Sequence, residues 1–138
     1  MSMTPEQIER FVDDLYAATG TGDWDRAASM LTDDFVAVEA DGLPMAGIYR
    51  GRNALRELFE TVMGMMDVAA LDRVQTTVGG DHAVTILSMR FADPSLRPAE
   101  LCELFRFRDG QCCEIKPYYF DPAPIVAACE AKKAAVGA

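Results

Sequence analysis

The second half of the chain constrains the fold most. Residues 99–120, AELCELFRFRDGQCCEIKPYYF, form two alternating apolar runs joined by Asp109-Gly110. That dipeptide suits a two-residue hairpin turn, so the spacing predicts paired strands over 99–108 and 111–120. Counted in twos, one face of the first run reads Ala99, Leu101, Glu103, Phe105, Phe107, and the other Glu100, Cys102, Leu104, Arg106, Arg108. A carboxylate therefore stands on an apolar strand face. Once buried, it must be paired, protonated or used.

Further strands are predicted upstream, over 68–78 and 82–92, with a turn at "GGDH" between them. The first half is mostly helical. "TPEQ" opens a helix with Thr4 as cap, Pro5 in the first turn and Gln7 completing a capping box. Ile8, Phe11, Val12 and Leu15 recur at helical spacing, with Tyr16 beside them, until Gly20 and Gly22. Asp23 caps a short second helix bearing Trp24. "DDFVAVEADG" is a strand whose one face carries Phe35, Ala37 and Glu39, and "AGIYRG" is a shorter one. "GRNALRELFETVMG" is a third helix with an apolar stripe of Leu55, Leu58, Phe59, Val62 and Met63, and with Gly64 as its expected C-cap. Asp121-Pro122 opens a last helix to about 133, followed by a frayed tail. Helices first and antiparallel strands after make an α+β domain.

Composition narrows the function. The 138 residues suit one domain with a single substantial core. The formal charge of -9 argues against nucleic acid or anionic lipid as a partner. No apolar run approaches the ~18 residues of a membrane span. The start "MSMTPEQIERF" lacks a basic, then apolar, leader. A cytoplasmic protein is expected. Cys102, Cys112, Cys113 and Cys129 form no C-x-x-C pair and there is one histidine, so no metal site is expected. No phosphate loop or nucleophile elbow appears, and no cofactor is expected.

The order helix, short helix, "LTDDFVAVEADGLPMAGIYRGRNALRELFE", long strands, then "GQCCEIKPYYFDP" resembles the nuclear transport factor 2-like superfamily, in its SnoaL-like polyketide cyclase and ketosteroid isomerase branches. The resemblance spans residues 1–138 as one domain. It implies a cone-shaped, curved antiparallel sheet wrapped around three helices of the N-terminal half, with a C-terminal helix, of the kind also called a cystatin-like α+β barrel. It also implies an apolar pocket for a small-molecule ligand, and a homodimer formed through the sheet's outer face.

In ketosteroid isomerases one carboxylate is the base, while a tyrosine and a protonated acid hold the enolate oxygen. Matching through Gly22-Asp23 and Asp33-Asp34 puts Glu39 at the base, and matching through "FRFRDG" puts Glu103 at the acid. The tyrosine position falls on Leu15, and Tyr16 stands roughly 100° further round the helix. Tyr119 is an alternative donor from another wall. The implied catalytic set is Glu39, Glu103 and Tyr119. The implied pocket is Tyr16, Trp24, Phe35, Tyr49, Phe59, Met63, Leu101 and Phe105.

The chemistry expected of such a set is proton transfer on a hydrophobic carbonyl compound: isomerisation, aldol-type cyclisation or elimination. The segment ending "YFD" is also similar to that of limonene epoxide hydrolases. Tyr118 stands where their catalytic Asp does, which argues against that mechanism. A non-catalytic binding or dimerisation module of the same fold is the alternative. Two structural explanations compete with the catalytic one. A cross-strand ion pair with Arg90 would satisfy Glu103, and Glu39, beside the turn "ADGLP", would be solvated at a strand end.

Overall fold

Helix α1 (Pro5–Thr21) begins with the predicted capping box, Thr4 Oγ1 accepting from Gln7 N at 3.1 Å and Gln7 Oε1 accepting from Thr4 N at 2.8 Å. It ends at Gly22, whose φ of 74° is the left-handed conformation that glycine adopts at least cost. This computed structural model describes residues 2–137. Asp23 caps α2 (Trp24–Ser29) by accepting from Arg26 N at 3.2 Å. Strands β1 (Leu31–Glu39) and β2 (Gly47–Arg50) pair antiparallel, and α3 (Ala54–Met65) follows. Then come β3 (Val68–Gly79), β4 (His82–Phe91), β5 (Ala99–Arg108) and β6 (Gln111–Tyr119), each antiparallel to the one before, and α4 (Ala123–Gly137). The β5–β6 turn has Asp109 at φ 54° and Gly110 at φ 77°, both positive as a type I′ turn requires.

The sheet corrects the cone or barrel expected from the sequence. It has six strands in the order β2-β1-β6-β5-β4-β3, is not closed or strongly curled, and is mixed rather than antiparallel throughout. Successive reversals from β3 bring β6 alongside β1 pointing the same way, so those two pair parallel, Ala37 opposite Ile115. Among the described residues, β2 pairs only with β1 and β3 only with β4, which leaves two edges. Two helix ends also differ. α3 runs through Gly64 to Met65 and is capped by extended Met66, and α4 extends through the expected tail to Gly137.

Two apolar cores result. One gathers Ile8, Val12 and Leu15 of α1 with Phe35, Phe105, Phe107 and Ile115. The other gathers Met45, Met66, Leu87, Met89 and Leu101 with Ile125 and Cys129 of α4. Each large side chain buried in this way contributes about 1.5–3 kcal/mol. Tyr16 and Leu58 pack against both cores and so mark the space between them.

Candidate functional site

A cavity of about 180 Å³ lies in that space. Its walls come from both cores: Leu15, Ala37, Phe105 and Ile115 from one, Met89 and Leu101 from the other. The apolar stripe of α3 (Leu55, Leu58, Phe59, Val62 and Met63) closes one side. The sequence shows that stripe as an apolar face and the resemblance implies Phe59 and Met63 as pocket residues, which they are. In the structure Phe59 is 45% and Met63 36% exposed, because they frame the mouth.

Ladder register builds the cavity floor. Glu103 on β5 stands opposite Thr85 on β4 and Pro117 on β6, and Thr85 stands opposite Thr76 on β3. Ala37 is level with Ile115, so two residues further along the parallel pair Glu39 comes level with Pro117. The row across the sheet therefore reads Glu39, Pro117, Glu103, Thr85, Thr76. With β6 between them, the two carboxylate-bearing backbones are about 10 Å apart. Pro117 lacks an N–H, and it falls beyond the last recorded β1–β6 partner, where the missing donor does least harm to the ladder.

The two carboxylates are held differently. Tyr16 donates its hydroxyl hydrogen to Glu103 Oε1. Burial raises the Glu103 pKa, and the bond from Tyr16 opposes that rise without cancelling it. Glu39 is 5% exposed and its Oε1 has no hydrogen-bond partner. Burial, and then the neighbouring Glu103 charge, push Glu39 up from 4.5 to about 8. Both phenols are raised as well. Tyr16 is raised by burial and Glu103, with Thr85 and Arg73 pulling the other way, and Tyr119 by burial and both carboxylates. The floor thus favours neutral acids at neutral pH, which lets a carboxyl or phenol donate a hydrogen bond to a ligand.

The proposed ion pair between Glu103 and Arg90 is absent. Thr85 occupies the position opposite Glu103. Arg90 lies on the other sheet face and binds Asp72, Nε to Oδ2 at 2.5 Å. Glu39 is not solvated at its strand end either, since it lines the cavity.

Of the residues named from the sequence, the structure brings Glu39, Glu103, Tyr119, Tyr16, Trp24, Phe59, Met63, Leu101 and Phe105 to the one cavity. Phe35 and Tyr49 do not line it. Phe35, fully buried, belongs to the first core, and the Tyr49 hydroxyl donates to Met45 O at 2.8 Å. Phe35 precedes Ala37 and Glu39 on the same strand face, and only those two reach the opening. Leu15 and Tyr16 both line the cavity, so the offset of one helical position does not remove the phenol.

Two contributors were not singled out from the sequence. Thr85, fully buried, bonds Thr76 at 2.9 Å, hydroxyl to hydroxyl. The alternation Ala83, Thr85, Leu87, Met89 carries its signal: one polar residue on an inward face. Arg73 stands over the Tyr16 ring, 4.9 Å from its centre, and pairs with Asp13 at 2.7 Å. A β3 bulge between Arg73 and Gln75 sets which face Arg73 takes, and the sequence alone carries no sign of it. Among the described residues no three His, Cys, Asp or Glu side chains are grouped to hold a metal ion, and no helix is long and apolar enough to cross a membrane.

Comparison with known proteins agrees with this architecture. The sequence model of a family described as "SnoaL-like domain" matches residues 12–115. No curated protein matches. Among solved structures, an NTF2-like protein from Burkholderia xenovorans LB400 is similar at TM-score 0.77 and 19% identity, over 92% of this chain and 98% of that one. Bal32a, from a soil-derived mobile gene cassette, is similar at 0.79 and 18%, over 91% and 98%. TerC, co-crystallised with polyporic acid, is similar at 0.77 and 17%, over 92% and 99%.

Proposed function

The chain belongs to the SnoaL-like domain family, and on that premise we propose that its cavity transfers a proton on a hydrophobic carbonyl compound. The observation that carries this reading is the pair of unlike carboxyls on one apolar floor: Glu39 without a partner, Glu103 held by Tyr16. Ionised Glu39 takes a proton from the carbon beside the carbonyl. Neutral Glu103, with Tyr16 or Tyr119, donates a hydrogen bond to the oxygen on which negative charge grows. Glu39 then returns its proton to a different carbon, to complete an isomerisation, or the enolate carbon attacks a second carbonyl carbon of the same molecule and the oxygen of that carbonyl takes the proton back from Glu39, to complete an aldol-type cyclisation. Co-crystallisation of TerC with polyporic acid supports an organic small-molecule ligand for this fold.

A one-ring substrate tests the reading. The protein should move the double bond of 3-cyclohexenone into conjugation, with ultraviolet absorbance rising. The rate should climb about tenfold per pH unit towards pH 8, as Glu39 ionises. Glu39→Gln should slow turnover by about 10²–10⁴-fold and still bind 2-cyclohexenone. Undiminished turnover in that variant removes Glu39 from the mechanism. A ligand bound and always recovered unchanged favours the binding module.

The outer sheet face supports a second copy of the chain as partner. Ile86 and Tyr118 are 44% and 54% exposed and flank Cys102 on adjacent strands. Sedimentation that shows only monomer across a concentration series would end that part of the proposal.

A further inference from the structure

Glu39 has a property that carbonyl chemistry alone does not use. Its side chain lines the cavity, and its Oε1 is enclosed and lacks any donor. An ionised carboxylate there needs a donor, and the protein offers none to that oxygen. A ligand in the cavity can supply one to the carboxylate.

The surroundings favour one kind of donor. Trp24 and Phe59, with ring centres 5.2 Å apart, line the same cavity as Tyr16, Phe105 and Tyr119. Aromatic faces attract cations. The whole chain carries a formal -9, which draws cations towards it. Arg73, at the mouth, is already engaged by Asp13 and by the Tyr16 ring. We infer that the cavity also binds small apolar primary amines as ammonium ions, with the Glu39 carboxylate as counter-ion and the aromatic walls around the apolar body.

Size sets the class. An apolar cavity of about 150 Å³ holds a benzene ring. The 180 Å³ here fits one ring with a short aminomethyl arm. The amine enters protonated, and Glu39, if neutral, gives up its proton to solvent. One N–H⁺···O⁻ hydrogen bond forms and no covalent bond changes. The groups facing Glu39 are Glu103 from β5, Tyr119 from β6, Tyr49 from β2 and Tyr16 from α1. The helices α2 and α3 contribute only apolar or aromatic side chains to the lining, and β4 contributes Met89. The inference does not depend on the proposed reaction, because binding requires no turnover.

The test is calorimetric titration with benzylamine and with benzyl alcohol, its neutral counterpart, from pH 6 to 8. Benzylamine should bind about fiftyfold tighter at pH 8 than at pH 6, from the ionised fraction of a group titrating near 8. Benzyl alcohol should change by less than about twofold, since no charge is exchanged. At pH 7, titrations in buffers of different ionisation heat should show close to one proton released per amine. Glu39→Gln should lose the preference for the amine and its pH dependence, while retained benzyl alcohol binding shows that the cavity is intact. The inference is overturned if benzylamine does not bind, if both ligands follow the same pH profile, or if Glu39→Gln keeps the preference. Amine binding without ketone isomerisation removes only the proposed reaction, and isomerisation without amine binding removes only this inference.

Discussion

Replacing Glu39 by Gln should stabilise the protein, and by an amount that grows with pH. In the unfolded chain the carboxyl ionises near 4.5, while in the folded chain it keeps its proton until about 8. Between those values the unfolded state binds fewer protons, so wild-type stability falls as pH rises. The loss reaches under about 1 kcal/mol at pH 5, about 3 kcal/mol at pH 7 and just under about 5 kcal/mol at pH 9. Gln has the shape of the neutral acid and cannot ionise, so the variant escapes this loss. At pH 7 a gain of about 3 kcal/mol raises the Tm of a 138-residue domain by about 10 °C. Urea denaturation followed by fluorescence of Trp24, which lines the cavity, reads the difference at pH 5, 7 and 9. If wild type and variant differ by the same amount at pH 5 and pH 9, Glu39 is not a desolvated acid, and the account of the cavity floor is mistaken.

Tyr16→Phe should leave Glu103 without its donor and slow carbonyl turnover by about 10²–10³-fold, with the fold retained by circular dichroism. A rate within twofold of wild type would show that the phenol does not touch the developing charge. Phe35→Ala should cost about 3–5 kcal/mol in chemical denaturation, because a fully buried ring leaves a void in the first core. Arg90→Ala should change stability by less than about 1 kcal/mol, since both Arg90 and Asp72 are about half exposed. It should also leave turnover unchanged, and a lost activity would reinstate a link between Arg90 and Glu103.

Local chemistry written in the sequence decided the elements. The Thr4–Gln7 box, the Asp23 cap and Asp109-Gly110 act over two to four residues, and each forms as its side chains dictate. Strand alternation likewise placed Glu103 among Leu101 and Phe105, and Glu39 beside Ala37, since successive side chains must point to opposite faces. Alternation also limits what is legible, for it tells face and not neighbour. Whether Glu103 met Arg90 or Thr85 depended on the β4–β5 register, and whether Arg73 faced the cavity depended on a bulge. The open, mixed sheet followed from β6 arriving parallel to β1, a pairing between segments about eighty residues apart that no local preference encodes. Phe35 shares a strand face with Glu39, yet it is core, because the cavity opens only where the two apolar clusters part. The sequence by itself determined which side chains face inward. Only the packing of helices on the sheet decided which of them line a space, and which carboxylate was left there without a partner.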